Sequence, residues 1–153
     1  MRRYLILSAV LLLVAGIGGW LMTQSNAQSN GAPRSFDVVE GQQLYQDNCA
    51  SCHGANLEGQ SDWRSPGPDG VLPAPPHDKT GHTWHHADNV LFDYTKLGGK
   101  AALALQGVDF QSGMPGFGEQ LTDAQIWNIL AYIKSSWPDR QRQVQSERSA
   151  PER

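Results

Sequence analysis

The residues best placed to do chemistry are Cys49, Cys52 and His53, which stand together as Cys49-Ala50-Ser51-Cys52-His53. They include the only two cysteines of the chain. A disulfide between positions three apart would close so small a ring that it would remove little entropy from the unfolded chain, so a structural staple is a poor use for them. Cys-x-x-Cys followed directly by His is instead the pattern of covalent c-type haem attachment. Two thiols at this spacing near a helix end can reach the two haem vinyl groups, and the adjacent imidazole then lies beneath the iron. The competing uses ask for more than the sequence offers. A thioredoxin-like dithiol expects a βαβ pattern nearby, and a zinc site needs further ligands at suitable spacing.

Four of the five histidines fall in one short run, His77, His82, His85 and His86. Such a run could bind copper or zinc, or supply a replacement ligand to iron. It could equally be a polar loop whose imidazoles are solvated or pair with Asp78 and Asp88, with Trp84 packing against cofactor or protein. Convergent geometry is the requirement for a metal site, and a loop sequence does not establish it, which favours the polar loop. Trp63, Trp84 and Trp127 invite a similar choice between electron relay and packing. The area each indole buries favours packing.

These residues need elements to hold them, and the strongest elements are helices. Asp37 and Glu40 stand in capping-box spacing, predicting a helix that runs towards Asn48 with Leu44 and Tyr45, plus Val38 or Gly41, on one face. Thr122 and Gln125 form a second capping box ahead of Ile126, Ile129, Leu130 and Ile133, and Pro138 stops whatever remains after Trp137. A shorter helix is expected from Asp88 to Leu97, ending at Gly98-Gly99. Between them the Gly/Pro-rich stretch Ser65 to Pro76 shows no strand alternation. An all-α chain of about three helices and such long loops has a sparse core, and a large apolar cofactor would supply its centre.

The chain divides by composition. Residues 4–22 (Tyr4 to Met22) are an uncharged apolar run of 19 residues behind Arg2 and Arg3. This is an export or anchoring segment, and the arginines place the remainder of the chain outside the cytoplasm. Its length reaches the roughly 17–25 residues of a spanning helix, which favours an anchor in the inner membrane over a soluble form cleaved after Ala27. Residues 23–35 read as a flexible linker, 36–138 as the functional domain and 139–153 as a polar tail, disordered or weakly helical. From residue 35 to 138 there are five Lys/Arg against twelve Asp/Glu, a net charge of −7. Phosphate recognition requires clustered positive charge, so nucleic acid is excluded as a partner. A protein partner with a basic docking surface is the better expectation.

From Phe36 to Trp137 the chain resembles the class I mono-haem c-type cytochromes, of the exported bacterial kind. The resemblance rests on Cys49-Ala50-Ser51-Cys52-His53, on a Pro-rich loop, and on Met114 in Gly113-Met114-Pro115-Gly116-Phe117. It rests also on Gly41, Tyr45 and Tyr132, which match the positions where the first and last helices of that family cross. It implies a cytochrome c fold wrapped around one haem c, attached through Cys49 and Cys52, with His53 and Met114 as the two iron ligands. Met114 is the only thioether in the domain, because Met1 and Met22 fall in or beside the apolar segment. The resemblance further implies that a loop carbonyl, here that of Pro75, accepts the N–H of the proximal imidazole. His77 stands where similar cytochromes have leucine, so the apolar packing there must come from elsewhere, with Leu72 the candidate. The function implied is one-electron transfer in the periplasm by a monomeric carrier, not an enzyme. The competing readings are a haem enzyme or sensor with a labile Met114, and a copper-handling cytochrome that uses the loop from His77 to His86.

Overall fold

The computed structural model describes residues 35–150. The apolar run 4–22 and nearly all of the linker 23–35 lie outside the described residues, and so do the expectations attached to them. Among the described residues the fold is all-helical, with six α-helices and no strand. They are α1 (Val38–Asn48), α2 (Ala50–His53), α3 (Asp88–Leu97), α4 (Gly99–Leu105), α5 (Asp123–Ser135) and α6 (Asp139–Ser149). A 3-10 turn, Thr83–His85, precedes α3. None of these helices is long and apolar enough to cross a membrane.

The crossing of α1 and α5 organises the core. α5 starts as its sequence predicts. Thr122 Oγ1 accepts from Gln125 N, and Thr122 N donates to Gln125 Oε1, which satisfies both orphan donors. α1 starts differently from the expected capping box. Asp37 Oδ1 accepts from Val39 N and Glu40 N, but Asp37 N donates to Asn128 Oδ1 at 2.9 Å rather than to Glu40. Glu40 Oε2 in turn accepts from Asn128 Nδ2 at 2.6 Å. A buried amide on α5 has replaced the local partner, so the helix end is capped across the crossing and binds the two helices together. One turn on, Gly41 lets the backbones touch. A Cβ there would stand 2.0 Å from the Asn128 carbonyl oxygen. Tyr45 is wholly buried beyond it, its ring 5.4 Å from that of Tyr132 and its hydroxyl donating to Gly54 O at 2.8 Å.

Two helices depart from the sequence reading. Gly98 does end α3, with φ +85, but the chain re-enters a helix at once as α4, whose Ala/Leu-rich run Lys100-Ala-Ala-Leu-Ala-Leu105 suits it. The second departure is larger. The tail expected to be disordered or weakly helical forms α6, and only residues 151–153 lie outside the described residues. Apolar burial does not explain its docking, since polar contacts hold it. Gln145, 1% exposed, donates through Nε2 to Asp88 Oδ1 (2.7 Å), His86 O (3.3 Å) and Ser149 Oγ (2.9 Å). Asp88 N donates to Ser149 Oγ, and Lys134 Nζ reaches Asp88 Oδ1 at 2.7 Å. Arg142 donates to Trp137 O.

Gln145→Ala removes the donor shared by these groups; Asp88 Oδ1 keeps Lys134 and Ser149 Oγ keeps Asp88 N, so the loss is that of the hydrogen bonds themselves, about 0.5–1.5 kcal/mol each. The expected result is a lower urea midpoint with loss of amide exchange protection across 139–149. Unaltered protection there would show that α6 is held by something else.

Candidate functional site

Cys49, Cys52 and His53 lie where α1 gives way to α2. Cys49 breaks the ideal helix with φ −116 and ψ −34, yet Cys49 N still donates to Tyr45 O and His53 N to Cys49 O. The segment is therefore nearly continuous with α1, and the α1–α5 crossing fixes its direction. Both thiols are free, Cys49 buried and Cys52 exposed. Burial, with the Cys52 sulfur as a smaller contribution, pushes the Cys49 thiol up to about 11. A redox-active dithiol or zinc ligand works through a thiolate of depressed pKa. Cys49 is the reverse, a neutral buried thiol.

The Pro-rich loop comes back over His53, and His53 Nδ1 lies 2.9 Å from Pro75 O. A carbonyl only accepts, so the proton is on Nδ1 and the Nε2 lone pair is left available. Burial lowers the His53 pKa and the Pro75 bond partly offsets it, which keeps the imidazole neutral near neutral pH. The loop is held in turn by Gly59 N to His53 O (2.7 Å), Gln60 N to Ala74 O (2.8 Å) and His77 N to Leu57 O (2.8 Å). Leu72, the expected source of packing in place of a leucine at 77, is instead 36% exposed. The space beside His53 is filled by His77 itself, whose ring stacks on His53 at 4.0 Å between centroids and 22° between planes.

Met114 belongs to a second wall, built from the α3–α4 junction. Gly99 N donates to Met114 O (3.0 Å), Phe117 N to Thr95 O (3.0 Å) and Gly118 N to Lys96 O (2.9 Å). These bonds pin the turn along the end of α3 and the start of α4, and a Cβ on Gly98 would collide with Gly116 N at 2.7 Å. The Pro-rich loop also reaches this wall, because a Cβ on Gly113 would be 3.0 Å from Val71 Cγ1. The same loop therefore touches both His53 and the Met114 turn.

The histidine run does not assemble a metal site. Among the described residues no three His, Cys, Asp or Glu side chains converge on a point, which removes the geometric basis for the copper reading. Nor do the imidazoles pair with acids as the polar-loop reading expected. Asp78 is engaged by Thr80 and Asp88 by Lys134 and Gln145. They stack on aromatics instead: His82 on Trp63 (5.2 Å) and His85 on Trp84 (3.7 Å), with His86 edge-on to His82. Trp127 stacks on Phe92 at 4.7 Å. The three tryptophans are thus all in packing contacts.

Burial lowers the pKa of His82 and His86, with neighbouring histidines adding to the effect. Their contribution to stability is complete above the unfolded imidazole value of about 6.5. Below that value the unfolded chain takes up protons first, and the contribution is lost as pH falls towards the depressed folded values. Urea midpoints measured between about pH 7 and pH 5 are therefore expected to drop, and to drop less steeply in His82→Gln plus His86→Gln. An identical slope in the double variant would show that neither group is held neutral by the fold.

The donor set fits a covalently held haem. Two free thiols stand beside an imidazole whose Nδ1 is engaged and whose Nε2 has no hydrogen-bond partner among the described residues. Trp84 Nε1–H, in addition, is a buried donor without a hydrogen-bond partner among the described residues, which a bound acceptor would satisfy. Cys49 and Cys52 would hold the group and His53 would ligate its metal. No curated protein and no solved structure matches the chain significantly. The Cytochrome c family model matches residues 38–137, so α6 lies beyond the matched region. With its Cys-x-x-Cys-His segment inside that match, the chain belongs to the cytochrome c family, whose members hold haem c covalently and transfer electrons through it.

Proposed function

We propose that the protein is an exported one-electron carrier with a single haem c, ligated by His53 and Met114, and that it works in the periplasm. The observation that carries this reading is the pinning of the Met114 turn by three backbone hydrogen bonds, two to the end of α3 and one to the start of α4. A turn fixed in this way presents its side chain from a rigid support, as a permanent ligand requires. When bound, haem supplies the one-electron change at iron. Everything else falls to this chain. Cys49 and Cys52 would anchor the group, Pro75 O holds the Nδ1 proton of His53, and Met114 would be the second metal ligand, keeping water and small ligands away.

The partner is a protein with a basic docking surface, given the net charge of −7 over residues 35–138. The apolar run 4–22 behind Arg2 and Arg3 supports export and a tether to the inner membrane. A linker between tether and domain would raise the effective concentration near membrane partners. The test is a visible and near-infrared spectrum with a redox titration, made on membrane and soluble fractions. A low-spin spectrum with a sulfur-to-iron charge-transfer band in the oxidised protein is expected, with the haem in the membrane fraction. Absence of that band at neutral pH would favour an enzyme or sensor with an open iron position.

A further inference from the structure

One contact beside His53 plays no part in anchoring or ligation, and it comes from the residue that departs from the family pattern. The His77 ring lies flat against the His53 ring, 4.0 Å between centroids and 22° from parallel. His77 is itself fixed at three points. Its backbone N donates to Leu57 O (2.8 Å), its carbonyl accepts from Trp137 Nε1 (2.7 Å), and its ring Nδ1 lies 2.8 Å from Thr83 Oγ1. Thr83 is buried, and its hydroxyl also lies 3.4 Å from Pro76 O. The hydroxyl and the ring Nδ1 are thus hydrogen-bonded to each other, whichever of the two donates. The Tyr45 ring closes the other approach, edge-on at 6.2 Å and 74°.

The bond from His53 Nδ1 to Pro75 O fixes one atom of the proximal imidazole and leaves its plane free to swing about that bond. A branched aliphatic side chain at position 77 would limit the swing only loosely, whereas a flat ring held by its own hydrogen bond defines a plane. We propose that His77 is a positioning residue for the proximal ligand, setting the plane of the His53 imidazole through a stack that Thr83 locks. This rests on the reading of His53 as an iron ligand, but does not depend on Met114. The plane of an axial imidazole decides which iron d orbital receives its π density. It therefore controls the distribution of unpaired spin over the porphyrin in the oxidised protein and contributes to the potential.

The experiment compares proton NMR and EPR spectra of the oxidised holoprotein in the wild type, His77→Leu, His77→Phe, Thr83→Val and Thr83→Ser, with a thermal melt of each. The expected result is a reordering of the hyperfine-shifted haem methyl resonances and a shift of the largest g value in His77→Leu and Thr83→Val. Thr83→Ser keeps the hydroxyl and is expected to retain the wild-type pattern. His77→Phe keeps a flat ring and is expected to lie closer to wild type than His77→Leu. A purely structural role would lower the melting temperature and leave the methyl order unaltered, and that result in both His77→Leu and Thr83→Val overturns the proposal. Should His77→Leu fail to fold, the Thr83 pair decides alone. A wild-type spectrum without histidine-ligated haem would instead overturn the reading on which the proposal rests, and with it the proposal.

Discussion

Replacing Met114 by alanine is expected to abolish the near-infrared sulfur-to-iron band, lower the reduction potential and open the iron to added carbon monoxide or imidazole, while leaving the fold intact. The chain offers no substitute, because among residues 35–150 Met114 is the only methionine. Axial ligands tune haem potentials over about 0.8 V, and thioether favours the ferrous form. A fall of roughly 100 mV or more is therefore expected. The turn itself does not depend on the side chain. It is held by Gly99 N to Met114 O, Phe117 N to Thr95 O and Gly118 N to Lys96 O, and by Met114 N donating to Ser112 Oγ at 3.3 Å. Truncation should thus separate ligation from folding, and circular dichroism of Met114→Ala should match the wild type. A charge-transfer band that survives in Met114→Ala would show that the band does not arise from the Met114 sulfur and would overturn the assignment of Met114 as a ligand.

Gly41→Ala is expected to have the largest effect on folding. The added Cβ would meet Asn128 O at 2.0 Å, Asn128 C at 2.5 Å and Ile129 N at 3.1 Å. All three are backbone atoms of α5, so no rotamer change relieves the clash and the helices themselves must part. Separation would also break the Asn128 bridge to Asp37 and Glu40 and loosen the Tyr45–Tyr132 contact. Overpacking of this kind costs about 3 kcal/mol or more, a large share of the roughly 5–15 kcal/mol that holds a domain together. The urea midpoint of the holoprotein measures it. Because α1 runs on into Cys49, Cys52 and His53, the yield of haem-loaded protein should fall in parallel. A midpoint within experimental error of wild type would mean that the helices do not cross at Gly41.

What the sequence determined by itself was the chemistry that lies within a few neighbouring residues. Cys49, Cys52 and His53 are contiguous, the Thr122–Gln125 cap spans one helical turn, and the ends of α1 and α3 are marked by Asn48 and by Gly98-Gly99. Local geometry decides each of these, so residue type and spacing suffice. Met114 and Pro75 became legible through family resemblance and, for Met114, through the lack of another thioether.

Tertiary structure decided what depends on partners distant in the chain. Asn128 displaces Glu40 as the reciprocal cap of α1 from 91 residues away from Asp37. α6 docks through the Gln145 amide and the Ser149 hydroxyl to Asp88, 57 and 61 residues earlier, in a tail with no apolar stripe to signal burial. His77 looks like a lone departure from a family pattern until folding lays it against His53, 24 positions before it, and places Thr83 at its Nδ1. A hydrophobic pattern records which face of a helix is buried. It carries no record of which polar atom will find which partner, because that pairing exists only once the helices have met.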